Sequence, residues 1–144
     1  MTGYVLAFLG AIIILFVVMS CVHRFFSDWS TLEQHYRAER PFTGRSHLYL
    51  GAGVGDAWVF KFPLRIGVDE TGLHISPPLA LFRYTHPALC IPLHDLEFRG
   101  KQLFGTRVEL GIAKAPHTYL SFGAGVVSLL FEWEPDRMKT LLQR

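Results

Sequence analysis

The feature that most constrains this chain is an uncharged, apolar stretch from Tyr4 to Val22, which reads YVLAFLGAIIILFVVMSCV. A helix needs about 20 apolar residues to cross the roughly 30 Å hydrocarbon core of a bilayer. Residues Ile12 to Val18 are apolar in succession, so in a helix they cover every face and leave no polar stripe for water. The stretch therefore predicts a transmembrane helix, with residues 1–24 as a membrane anchor.

The basic residues near this stretch predict its orientation. No Lys or Arg precedes it, whereas Arg24, Arg37, Arg40 and Arg45 follow it. Basic residues close to a span stay on the cytoplasmic side. We therefore expect a single-pass protein of the bacterial inner (plasma) membrane with a cytoplasmic C-terminal domain. A cleaved signal is disfavoured because its basic N-terminal region is missing. A lipoprotein-like site that lipidates Cys21 stays an alternative and would place the domain outside the cytoplasm.

Length, charge and cysteine content narrow the remaining possibilities. The chain has 144 residues, a formal net charge of +2 and two cysteines. About 100 residues after the juxtamembrane region suffice for one domain but not for two. The basic residues are scattered among acidic ones, which disfavours nucleic acid as a partner. Cys21 and Cys90 lie in segments of different character and are poor candidates for a disulfide.

Residues 25–44 are predicted to be a juxtamembrane helix and linker. Trp29, Leu32 and Tyr36 share one face of a short helix, and Ser30 and Glu33 have the spacing of a capping box. This helix either lies along the membrane surface or packs on the domain. In the first case the residues expected to contact the membrane surface are Arg24, Trp29, Arg37, Arg40 and Arg45.

Residues 45–144 carry the pattern of short β-strands. Apolar residues recur at every second position from Trp58 to Val68, and Asp69–Gly72 has the composition of a hairpin turn. The further predicted strands are His47–Leu50, Leu79–Tyr84, Ala88–Leu93, Leu96–Arg99, Arg107–Ile112, Thr118–Phe122 and Val127–Trp133. A C-terminal amphipathic helix is predicted over residues 134–144, with Met138, Leu141 and Leu142 on its apolar face.

The segments Gly72–Ile75 and Phe82–Leu96 resemble those of uncharacterised bacterial single-span proteins that carry a pleckstrin-homology-like domain. The resemblance covers roughly Trp29 to Leu96. It implies an α+β fold, in which an N-terminal transmembrane helix precedes a mainly β pleckstrin-homology-like small barrel with a C-terminal helix. It also implies binding rather than catalysis, without identifying a ligand. Only Lys61 and Arg65 stand in the first hairpin, so phosphoinositide binding is not carried over.

Catalytic and metal-binding patterns are weak in this sequence. The seven histidines lack the spacing of metal ligands, and no acid, base and nucleophile converge in a known motif. We therefore predict no catalytic residue, no metal and no cofactor.

Two surfaces are candidates for interaction. Gly3, Ala7, Gly10 and Ala11 place small residues on one face of the first helix, where another helix can approach closely. Phe82, Arg83 and Tyr84 are residue types that anchor interfaces if they are exposed. The alternative is that Leu79 and Leu81 fill the barrel and Phe82 caps it.

These features together predict a membrane-anchored, non-enzymatic binding module. We expect it to be an accessory or regulatory subunit of a membrane protein complex, with another membrane protein and the lipid bilayer as partners. Two alternatives stay open: a domain that senses anionic lipid or the membrane surface, and a membrane-associated enzyme. The oligomeric state is left open by the sequence.

Overall fold

The chain folds as an α+β protein in the computed structural model, which describes residues 2–26, 28–55, 62–102, 107–133 and 135–136. Its helices are α1 (Thr2–Phe26), α2 (Trp29–Tyr36) and α3 (Ala124–Trp133). Its strands are β1 (Ser46–Val54), β2 (Phe62–Asp69), β3 (Gly72–Ser76), β4 (Leu89–Ile91), β5 (Leu96–Gln102), β6 (Arg107–Ile112) and β7 (Tyr119–Gly123). Short 3₁₀ helices span Ala80–Tyr84 and Leu93–Asp95.

Two antiparallel sheets share strand β1. The strand order is β4-β3-β2-β1-β7-β6-β5. The first part of β1 pairs with β2, whereas Gly53 and Val54 at its end pair with β7. The register with β2 shifts between Tyr49 and Ala52. Because such irregularities bend a strand, β1 can pass from one sheet into the other.

The core lies between the inner faces of these two sheets. Alternate residues of β2 and β3 are buried there, as the period-two pattern predicts. Helix α3 adds Val126 and Leu130, which are four residues apart and lie on the same helix face. The largest fully buried side chains of the sheets are Ile66, Leu73, Ile75, Leu89, Ile91, Leu110, Ile112, Leu120 and Phe122.

Helix α2 is part of this core. Trp29, Leu32 and Tyr36 are all buried, and the Trp29 Nε1–H donates a hydrogen bond of 3.1 Å to the Pro87 carbonyl oxygen. Of the two predictions for this helix, packing on the domain is therefore confirmed. The capping-box prediction is wrong, because Asp28 is the N-cap residue, with a φ of 54° and no side-chain cap bond.

The membrane-spanning prediction is contradicted by the described part of the chain. A span needs about 20 apolar residues in succession. Among the residues that the structure describes, no helix combines the necessary length and apolarity. The side chains of α1 are described without a break only from Tyr4 to Met19. This finding corrects the predicted transmembrane anchor over residues 1–24, the single-pass inner-membrane location with a cytoplasmic domain, and the corresponding part of the predicted fold.

Two local predictions are also wrong. Leu79–Tyr84 contains a 3₁₀ helix rather than a strand, directly after Pro77 and Pro78. Residues 127–133 belong to α3 rather than to a strand, because Val126 and Leu130 bury one helix face. Most of the predicted helix over residues 134–144, with Met138, Leu141 and Leu142, lies outside the described residues.

Candidate functional site

The predicted small-residue face lies on helix α1. Ala7 and Ala11 are exposed, and no atom lies within 4 Å of the position that a Cβ would take at Gly10. Gly3 belongs to the same helix. No other described part of the chain therefore covers this face at Gly10.

The predicted partner surface at the 3₁₀ helix is divided between core and solvent. Phe82 is only 7% exposed and packs into the domain, so it does not meet the condition for an interface anchor. Arg83 is exposed, and Tyr84 is 87% exposed. The alternative is wrong for Leu79, which is exposed and does not fill the barrel, but the burial of Phe82 agrees with it.

One of the residues predicted for membrane-surface contact lies in the core. Trp29 is 1% exposed, which removes it from any surface contact. Arg37 forms an ion pair with Glu33 at 3.2 Å. Arg40 and Arg45 are exposed. The side chain of Arg24 lies outside the described residues.

An open groove of about 310 Å³ lies on the outer face of the β1–β4 sheet. We call it the outer groove and define it by the lining side chains Phe42, Ser46, Arg65, His74, Ser76 and Arg83. Arg65 pairs with Ser76 across β2 and β3, and Gly67 pairs with His74. Since alternate residues point to opposite faces, these side chains lie opposite the buried Ile66 and Ile75.

The segment between α2 and β1 crosses this outer face and forms one wall of the groove. Its first part is fixed to the residue before β4, because the Ala38 N–H donates to the Ala88 carbonyl oxygen at 2.8 Å. Further along, the Phe42 ring stacks on the His74 ring with centroids 4.4 Å apart. A Cβ at Gly67 would lie 2.2 Å from Phe42 Cε1. Gly67 therefore provides the space in which Phe42 lies against the sheet.

A polar cluster of Asp69, Thr71, His74 and Cys90 borders the outer groove. Asp69 Oδ1 accepts hydrogen bonds from the Thr71 N–H at 2.8 Å, the Thr71 hydroxyl at 2.6 Å and His74 Nε2 at 3.0 Å. His74 and Cys90 are paired residues of β3 and β4, and Cys90 Sγ lies 3.7 Å from His74 Nε2. The cluster ties the β2–β3 turn to strand β4.

This cluster has the residue types of a thiol catalytic triad but not its geometry. His74 Nε2 faces both Asp69 and Cys90, whereas a triad uses one ring nitrogen for the orienting acid and the other for the nucleophile. Burial raises the pKa of the Cys90 thiol; the Thr71 hydrogen bond lowers it and the Asp69 charge raises it further. A catalytic cysteine requires a lowered pKa. The arrangement therefore suits a structural or binding role.

The carboxyl group of Asp69 makes the stability of the protein depend on pH in the acidic range. Burial raises the pKa of its carboxyl group, but the hydrogen bonds from Thr71 and His74 outweigh burial, so the pKa is lowered below the ordinary value of 3.8. A carboxyl group whose pKa is lowered on folding stabilises the protein above its unfolded-state pKa, and this stabilisation is lost as the pH falls through the folded-state value.

We therefore expect Asp69→Asn to flatten the loss of stability below about pH 4. Urea unfolding midpoints between pH 6 and pH 2.5 measure this dependence. Glu70→Gln is the control, because it removes an exposed neighbouring carboxyl group and leaves the hydrogen bonds of Asp69 intact. Equal slopes for Asp69→Asn and the wild type would contradict the expectation.

A second polar network joins α2 to the other end of the core. The Tyr36 hydroxyl donates to Asp95 Oδ2 at 3.0 Å and accepts from the Lys114 N–H at 3.2 Å. The Lys114 ammonium lies 3.6 Å from the same carboxylate oxygen. Asp95 is buried, so these partners offset the cost of removing its charge from water. The network stabilises the fold, and its residues are not among those that line the outer groove.

Helix α1 presents large apolar side chains to solvent. Tyr4 is 86% exposed, and the other exposed residues include Leu6, Phe8, Leu9, Ile13, Ile14, Leu15, Phe16, Val17 and Val18. The Phe16 ring meets the Phe82 ring of the domain at a centroid distance of 6.5 Å. Extended apolar surfaces of this kind mark interaction sites.

Comparison with known proteins assigns no family: no family model, no curated protein and no solved structure matches the chain.

Among the described residues, no group of three or more His, Cys, Asp or Glu side chains is arranged to hold a metal ion.

The outer groove was missed by reasoning from the sequence alone. The predicted alternation of β2 and β3 already places Arg65, His74 and Ser76 on the outer face of the hairpin. The approach of Phe42, Arg83 and Cys90 depends on contacts between distant segments, for which the sequence offers no comparable signal.

Proposed function

We propose that this chain is a non-enzymatic binding module that serves as an accessory or regulatory subunit of a larger protein complex. In this proposal, helix α1 is the segment that a partner protein covers. The observation that carries it is the exposure of large apolar side chains along α1. The order of seven antiparallel strands followed by a helix supports the binding function that the pleckstrin-homology-like resemblance implies.

The distribution of these side chains favours a partner that surrounds α1. Residues three, four or seven positions apart share a helix face. Two nearly opposite sides of α1 are therefore both apolar and exposed, one carrying Leu6, Leu9 and Ile13 and the other carrying Phe8, Leu15 and Val22. A single second helix covers only the side that faces it. Pairing with one more copy of this chain would leave the opposite side in water, which favours a partner with several contacting segments.

The absence of a suitable catalytic arrangement at Cys90 supports a non-enzymatic function. Its thiol has a raised pKa, and His74 turns the same nitrogen toward Cys90 and Asp69. The cluster cannot transfer a proton from the thiol along the path that a triad uses.

Photo-crosslinking of the full chain in cells of its native host tests the proposed role of α1. A photoreactive amino acid at Leu9 or at Leu15 probes the two opposite sides. We expect both positions to crosslink the same protein, and reciprocal tagging of that protein to recover this chain. The control position is Glu70, which is exposed on the β2–β3 turn far along the sequence and should give no such product.

A double variant, Leu9→Asn with Leu15→Asn, provides the matching loss of function. Burial of a leucine side chain contributes about 1.5–3 kcal/mol, so we expect recovery of the partner to fall at least about tenfold. Thermal unfolding of the domain should stay unchanged, because both side chains are exposed. Crosslinks only to lipid or to a second copy of the chain would overturn the proposal.

A further inference from the structure

Unpaired hydrogen-bond donors converge on the outer groove. Within the described part of the chain, neither the Arg65 nor the Arg83 guanidinium forms a hydrogen bond or an ion pair. The hydroxyl groups of Ser46 and Ser76 likewise have no hydrogen-bond partner among the described residues. A guanidinium group carries a positive charge, so these two arginines bring two positive charges to the groove.

The charged side chains that line the groove have one sign. No Asp or Glu is among its described lining residues. The nearest carboxylate on these strands, Asp69, uses its Oδ1 atom to accept hydrogen bonds from Thr71, Gly72 and His74. Strand pairing sets Arg65 beside Ser76, while Arg83 approaches from the 3₁₀ helix. With Ser46 of β1, an anion in the groove would meet donors from four different elements.

We infer that the outer groove binds the phosphate group of a small phosphomonoester. A guanidinium group presents its N–H donors in a fork that matches phosphate oxygens, and two such groups with two hydroxyl groups match an anion with several acceptor oxygens. The volume of about 310 Å³ is at the lower end of ligand pockets, which suits a monophosphate of a small organic molecule. The Phe42 ring forms an apolar wall for the organic part. This inference is independent of the role proposed for α1.

Phenyl phosphate is a suitable probe, because it joins a phosphomonoester to one aromatic ring. Titration of the full chain, followed by backbone amide chemical shifts, should perturb residues 65–67 and 74–76. Arg65→Gln and Arg83→Gln should each weaken binding by about tenfold or more, since a charge-assisted hydrogen bond contributes at least that factor. Arg99→Gln is the matched control, because it removes one exposed positive charge from β5, outside the groove.

The inference is overturned if phenyl phosphate perturbs none of these amides, or if Arg99→Gln weakens binding as much as Arg65→Gln does. Two comparison experiments distinguish the source of the phosphate group: binding of the chain to phosphatidic acid vesicles, and competition of inorganic phosphate with phenyl phosphate. Competition by inorganic phosphate supports recognition of the phosphate group. Binding to the vesicles without binding to phenyl phosphate would overturn the assignment to a small soluble ligand.

Discussion

Replacing Trp29 with alanine is expected to lower the free energy of unfolding by about 3–5 kcal/mol. The side chain is 1% exposed, its Nε1–H donates to Pro87, and its ring meets the His86 ring edge to face at 5.1 Å. Removing it leaves a cavity between α2 and the segment before β4. Small domains are stable by only about 5–15 kcal/mol, so this loss is a large part of the total. Urea unfolding at neutral pH measures it.

Trp133→Ala is the matched control for this prediction. Trp133 is 49% exposed on α3, and we expect its replacement to change the free energy of unfolding by no more than about 1 kcal/mol. Trp29→Phe separates packing from hydrogen bonding, because it keeps an aromatic ring and removes the donor to Pro87. It should cost about 1–2 kcal/mol. If Trp29→Ala and Trp133→Ala unfold at the same urea concentration, α2 is not part of the core.

Gly72→Ala is expected to cost about 2–4 kcal/mol through a steric conflict at the β2–β3 turn. Gly72 has a φ of +148°, and a Cβ at this position would lie 2.3 Å from the Ile91 carbonyl oxygen. The opposing atom belongs to the backbone of β4, so a side-chain rotation cannot relieve the conflict. The expected result is a large decrease in the urea midpoint and weaker protection of the β3–β4 amides from hydrogen exchange.

Gly53→Ala is the control for the backbone conflict. A Cβ at Gly53 would meet only the Ser121 Cβ, at an ordinary contact distance of 3.7 Å. Its free energy of unfolding should stay within about 1 kcal/mol of the wild type. Equal midpoints for the two alanine variants would show that the β3–β4 pairing tolerates a side chain at residue 72.

Local pattern predicts much of the β structure. The alternation before Asp69, the turn composition of Asp69–Gly72 and the apolar Leu73 and Ile75 predict the β2–β3 hairpin, and the predicted bounds of Arg107–Ile112 are those of β6. The prediction is weaker where the same residues suit two structures. Residues 127–133 are apolar enough for a strand, but burial of one face as a helix decides the outcome.

The membrane prediction shows a different difficulty. Composition describes the polarity of a segment but not what surrounds it, so the apolar residues of α1 alone predicted a span that the described residues contradict. The outer groove lies beyond local pattern for a related reason. Phe42 reaches Gly67, and Cys90 reaches His74, only after distant segments have paired. Neither Phe42 nor Cys90 lies in a local sequence pattern that predicts these contacts.

The segment after α2 has one more consequence, which concerns solubility. Strand β4 is at the end of the strand order, and the edge strand of a sheet can pair with another chain and start aggregation. The bridge between Arg37 and Leu89, together with the hydrogen bond from Ala38 to Ala88, occupies part of this edge. The chain thus covers part of its own edge strand, which leaves less of β4 open to pairing with a second copy.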